Sequence, residues 1–203
     1  MKKWFERVAI LLAFVMVGFG GAYAQEAGDK AAGANLVYGT GNSFGNMGIG
    51  AKFQYNVTKP VRGEVSFTYF WENLAMSFWD VSVDAHYLFA VTEKINLYPI
   101  AGFGVMGLTD SNGQMIDLGG GTLILNKNDG SYSQAMFGVN LGGGAEYKLT
   151  SQFYLNAGIK YRIGIFDTAD KAGVKTPFGN SVRNYYDSYL NRLMISAGIA
   201  YKF

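Results

Sequence analysis

The stretch LMISAGIAYKF, residues 193–203, decides the fold. Its odd positions are Leu193, Ile195, Ala197, Ile199, Tyr201 and Phe203, all apolar. The even positions, continuing from Arg192, include Ser196, Gly198 and Lys202. Alternation of this kind puts the two sets on opposite faces of a β-strand, one suited to lipid and the other to water or a polar interior.

The same parity recurs upstream. Phe153, Leu155, Ala157, Ile159, Tyr161 and Ile163 alternate with Tyr154, Asn156, Gly158, Lys160 and Arg162. Phe137 to Lys148 repeats it, and Trp79, Val81, Val83, Ala85, Tyr87 and Phe89 alternate with Asp80, Ser82, Asp84, His86 and Leu88. Val61–Trp71 sets Val65, Phe67 and Tyr69 against Arg62, Glu64, Ser66 and Thr68. Met47–Val57 and Ile95–Gly107 behave alike, although Tyr98 and Ile100 blur the second, and Ala34–Gly41 carries the weakest signal. The count predicts eight strands.

Connection lengths supply a second signal. Three tight turns share an aromatic, any residue, an aliphatic and a threonine: Tyr55-Asn56-Val57-Thr58, Phe89-Ala90-Val91-Thr92 and Tyr147-Lys148-Leu149-Thr150. The others are Asn42–Asn46, Glu72–Ser77 and two long loops near Leu108–Ser133 and Phe166–Ser188. Short turns at one end and longer loops at the other are the habit of transmembrane barrels. Aromatics complete the pattern. Tyr55, Phe89, Tyr147, Phe153, Tyr201 and Phe203 gather at the turn end, and Tyr38, Trp71, Trp79, Phe137 and Tyr161 near the other. From Phe153 to Tyr161 the strand covers roughly 20 Å at a tilt of about 40°, close to the apolar band of about 25 Å between aromatic girdles.

Composition agrees. In 203 residues there are 28 glycines, 16% aromatics and only 16% charged residues, below the roughly 25% of an ordinary soluble domain. No apolar run beyond the N-terminus approaches the roughly 20 residues of a spanning helix, so a membrane-embedded chain must cross as closed strands. Cysteine is absent, which excludes disulfides and thiolate metal sites.

Residues 1–24 read as a secretory signal. Lys2 and Lys3 form a basic start, Val8 to Phe19 is apolar, and Ala22 and Ala24 place small residues for cleavage before Gln25. A helix of that apolar length rises only about 18 Å, short of the roughly 30 Å hydrocarbon core. The formal charge of +2 lies in this segment, so the remainder is neutral and no nucleic-acid partner is expected. Residues 25–33 read as a loose tail before a barrel over 34–203.

Phe203, with Tyr201 and Ile199 at alternate positions before it, resembles the terminal strand by which bacterial outer-membrane barrels are recognised for assembly. With the signal and the strand count, residues 34–203 resemble the OmpA/OmpX-like small-barrel (porin-like) family. The resemblance implies an eight-stranded antiparallel transmembrane β-barrel in the bacterial outer membrane. It implies as partners the surrounding lipid and lipopolysaccharide and, during biogenesis, the barrel assembly machinery. A single-domain member is expected, with loops longer than a minimal barrel needs.

Parity sends Lys52, Arg62, Glu64, Asp80, Asp84, His86, Glu146, Lys148, Lys160, Arg162, Arg192 and Lys202 inward. An eight-stranded barrel is just wide enough for side chains to fill it, so these charges are expected to pair and plug the interior. Inward glycines at positions 48, 50, 102, 104, 142, 144 and 158 either open a narrow polar pathway or make room for long arginine and lysine chains.

Catalytic signals are poor. Ser43 lies in a G-x-S-x-G string, but that motif needs a strand-to-helix turn, and here a strand follows. His86 is the only histidine and faces inward by parity, where hydrogen bonding to Asp84-side charges or neighbours across the lumen is its expected role. The run Gly119-Gly120-Gly121 lacks a phosphate-binding context. No catalytic residue, cofactor or metal ligand is expected. The function expected is a structural or surface-interaction role in the envelope, with the two long loops, and Tyr185, Tyr186 and Tyr189 at the end of the second, as contact surfaces or girdle. A small-solute channel is the alternative, and a lipid-modifying enzyme the third reading.

Overall fold

A computed structural model describes residues 25–41, 44–74, 76–110, 116–117, 122–123, 132–167 and 190–203. Residues 1–24, for which a signal role is expected, with Ala22 and Ala24, and likewise Ser43, the triple glycine and the three loop tyrosines, lie outside the described residues.

Among the described residues eight long strands form the molecule: β1 (Lys30–Gly41), β2 (Phe44–Asn56), β3 (Val61–Asn73), β4 (Met76–Tyr87), β5 (Ile95–Asp110), β6 (Tyr132–Lys148), β7 (Phe153–Asp167) and β8 (Leu193–Lys202). Each pairs antiparallel with its sequence neighbours, and β1 also pairs with β8 from Ala31↔Lys202 to Thr40↔Leu193, so the sheet closes into a barrel. Closure leaves no strand edge exposed, the condition for a sheet in hydrocarbon. Phe89–Ala90 prolongs the β4 side of the β4–β5 ladder, and Ile116–Asp117 pairs with Thr122–Leu123 in a small separate ladder.

The expectations shift at three boundaries. β1 starts at Lys30 rather than Ala34, because Ala31, Ala32, Gly33 and Ala34 are too small to display a parity that the ladder to β2 nonetheless enforces. Residues 25–29 are no loose tail: Gly28 N donates to Asn56 O and Asn56 N to Asp29 O. β5 and β6 pair as far as Asp110↔Tyr132, so the first long connection is shorter than the sequence suggests, whereas the second, between Asp167 of β7 and Leu193 of β8, is slightly longer.

The recurring threonine has a physical role. In each tight turn its hydroxyl accepts from the backbone N–H three residues on: Thr58 from Val61 at 3.1 Å, Thr92 from Ile95 at 3.0 Å and Thr150 from Phe153 at 3.0 Å. Each thus satisfies an amide that the turn would leave open. Outward side chains are apolar and exposed, as at Phe67, 49% accessible on the lipid-facing wall. Phe203 packs there against Phe53 and Tyr201, with ring centroids 6.5 and 6.4 Å apart, and Ile199 faces outward between Ala34 and Leu155. The core is the interior of the barrel.

Candidate functional site

The interior is layered from the turn end to the loop end. At the turn end Glu146, on β6, is buried and accepts from Arg62 Nη1 at 2.6 Å, Gln25 Nε2 at 2.6 Å and Asn96 Nδ2 at 2.9 Å. Gln25 also accepts from Asn56, so the short segment before β1 reaches into the mouth of the barrel. Arg62 lies over the Tyr98 ring, 5.0 Å from its centroid, and His86 stacks on that ring at 4.8 Å. Arg62 Nε donates to His86 Nδ1 at 3.3 Å. Since guanidinium only donates, Nδ1 is an acceptor, and a neutral ring carries its proton on Nε2. The partner of His86 is therefore its register neighbour Arg62 rather than Asp84.

Above this lies a second network. Arg162, fully buried at 0% exposure, pairs with Asp80 and donates to Asn140 Oδ1 at 2.6 Å and Ser82 Oγ at 2.8 Å. Asn140 donates to Asp84 at 2.7 Å, and Lys160 donates to the other oxygen of Asp84 at 2.9 Å. Lys52 donates to Asn156 at 2.6 Å and stands 3.9 Å from Glu64, which accepts from Gln54 at 2.7 Å. Close approach of the wall makes this possible. A Cβ on Gly104 would lie 2.8 Å from Arg162 Nη2, and one on Gly144 2.6 Å from the Tyr98 ring. Between the networks is a cavity of about 50 Å³ lined by Lys52, Glu64, His86, Lys160 and Ser196, among others, room for a few waters.

The loop end is different in kind. Phe70, Phe78, Met106, Leu108, Met136 and Leu190 point inward and are buried. Arg192 sits among them, its guanidinium 5.1 and 4.2 Å from the Phe70 and Phe78 ring centroids, donating to Gly39 O and Asn46 Oδ1. Sequence parity placed Arg192 inward but missed this apolar layer. Its signal was present as apolar residues on both parities near the loop ends of β3, β4 and β5.

The structure brings together Lys52, Arg62, Glu64, Asp80, Asp84, His86, Glu146, Lys160 and Arg162. It does not bring in Lys148, which is half-buried at the turn-end rim and makes no ion pair among the described residues. Lys202 also stays at the rim, paired with Asp29 at 2.8 Å. Gln25 and the inward phenylalanines and methionines are the site residues that the charge pattern could not reveal.

Residues 10–203 match the family model described as the outer membrane protein beta-barrel domain. No curated protein matches the sequence. Solved structures similar to this chain include the N-terminal barrel domain of Pseudomonas aeruginosa OprF, 18% identical with a TM-score of 0.51, over 87% of this chain and 99% of that one. The attachment invasion locus protein Ail of Yersinia pestis is 17% identical with a TM-score of 0.51, over 88% and 100%. The outer membrane protein OprG of Pseudomonas aeruginosa is 13% identical with a TM-score of 0.53, over 90% and 99%. At these identities the likeness carries the fold alone.

Proposed function

The chain belongs to the outer membrane protein beta-barrel family, and from that premise we propose that it is a plugged barrel acting through its outer surface rather than through its lumen. It is an integral protein of the bacterial outer membrane. The reading rests on one observation: the inward apolar layer of Phe70, Phe78, Met106, Leu108, Met136 and Leu190 over a hydrogen-bonded charge network. An ion crossing this interior would have to part buried ion pairs and then shed its water among phenylalanine and methionine side chains, both costly steps. The charges serve to fill and stiffen the barrel. The connections at 111–131 and 168–189 are then the parts left to meet other molecules, on a rigid scaffold that holds them at the cell surface. The named role of Ail in attachment is in keeping with such a use. His86 is structural in this reading, engaged by Arg62 inside the wall, and no lipid-modifying chemistry is assigned to it.

The test is planar-bilayer conductance of refolded residues 25–203, with heat-modifiable migration confirming the barrel. The parent is expected to be silent. Reproducible steps from the folded parent would overturn the proposal and assign a channel to the lumen.

A further inference from the structure

The β3–β4 hairpin combines three features that tight turns rarely share. Asn73 pairs with Met76, and Leu74, the first residue of the connection between them, has φ of 49°. That left-handed conformation suits glycine or asparagine, and a bulky apolar side chain adopts it only against a steric penalty. Leu74 is also 80% exposed. Finally, the tip is held firmly: Asn73 Nδ2 donates to Gly45 O at 2.8 Å, and Asn46 Nδ2 to Trp71 O at 2.9 Å. A register shift between Phe70 and Asn73 re-aims the strand just below, as bulges do.

We propose that this hairpin tip is a lipid anchor, with Leu74 seated in the interfacial layer of the surrounding bilayer at the outer face. Continuity identifies the occupant. Val65, Phe67, Tyr69 and Trp71 form an exposed apolar line on the lipid-facing side of β3, and Leu74 is the next exposed apolar residue beyond it, past Glu72 and Asn73. Three residues beyond Trp71 advance no more than roughly 8 Å along a strand tilted by about 40°. The polar layer on each side of the hydrocarbon core is about 5–8 Å deep, comparable to that advance, which sets Leu74 in the outer part of the layer. An apolar tip there gains by leaving water, which offsets the backbone penalty. The inference goes beyond the surface-interaction reading and does not depend on a closed lumen.

The chain has no cysteine, so one introduced at position 74 can be labelled uniquely with a polarity-sensitive fluorophore. The barrel is placed in phosphatidylcholine nanodiscs, which leave both membrane faces open to iodide. Labels at Phe67→Cys, on the lipid wall, and Glu93→Cys, in an exposed turn, serve as references. Position 74 is expected to emit nearer the blue of position 67, with iodide quenching severalfold weaker than at position 93. Leu74→Asn, which suits the backbone conformation, is expected to raise the thermal midpoint in detergent and to gain less, or lose, in nanodiscs. Quenching at 74 equal to that at 93 would overturn the proposal. Shielding seen only on intact cells would assign the tip to a protein partner and overturn it equally.

Discussion

Glu146→Ala is the most informative perturbation of the interior. The carboxylate holds three donors, and its ion-pair partner Arg62 is itself buried. Removing it leaves a guanidinium with His86 Nδ1, the face of Tyr98 and the attraction of Glu64, but no directly paired carboxylate. Breaking a buried pair from one side costs about 3–5 kcal/mol, because the remaining charge is uncompensated. At about 1.4 kcal/mol per decade this lowers the folding equilibrium constant by roughly two to four orders of magnitude. Replacing both partners, as Arg62→Met/Glu146→Leu, is expected to recover part of the loss, since an apolar pair of similar volume avoids the desolvation penalty while the Gln25 and Asn96 amides still lose their acceptor. The assay is equilibrium urea unfolding in lipid vesicles, with the parent, both single variants and the double variant forming a cycle. A Glu146→Ala cost under about 1 kcal/mol, or a double variant no better than the single one, would refute a lumen held by paired buried charge.

Other outcomes follow from the same geometry. Lys202→Met, at a pair that water reaches, is expected to cost at most about 1 kcal/mol in the same assay. Asp29, outside the strands, would have its carboxyl pKa raised by burial, but hydrogen bonds from Lys202 and from the Glu26 N–H outweigh this and hold it below the usual carboxylate value. A lowered folded-state pKa stabilises above the unfolded value and ceases to do so as pH falls through the folded one. The gap between the parent and Asp29→Asn should therefore be open at neutral pH, begin to close below about pH 4 and vanish only once pH falls beneath the lowered folded-state value, in a pH series of unfolding midpoints. Gly144→Ala puts a methyl against the Tyr98 ring, on which both Arg62 and His86 pack, and is expected to cost about 1–3 kcal/mol, read as a lower unfolding midpoint. Thr92→Val deletes an acceptor for the Ile95 N–H, at a cost of about 1 kcal/mol in the same assay.

Which residues face inward was legible because a strand has period two, and a closed barrel has one inside and one outside. Arg62, Asp84 and Arg162 are placed by counting alone. The start of β1 was not legible, since a run of alanine and glycine displays no parity however firmly it is paired. Nor was the apolar layer, where Phe70 follows Tyr69 and precedes Trp71 and alternation disappears into a continuous apolar run. Gln25 was hidden for another reason. Its partners Asn56 and Glu146 are distant in sequence, and nothing local marks a polar residue as buried. The failure at Lys148 is one of depth, because parity gives direction but not height along the barrel axis.

The ladder joining β1 to β8 makes completion a matter of timing. The strand translated first cannot find its second neighbour until the strand translated last has been made. Until then the chain offers two ragged borders that hydrocarbon will not tolerate. A shortened or stalled chain therefore cannot settle for a slightly poorer version of the finished wall. The seam acts as an inspection point, passing only chains whose first and last strands have met.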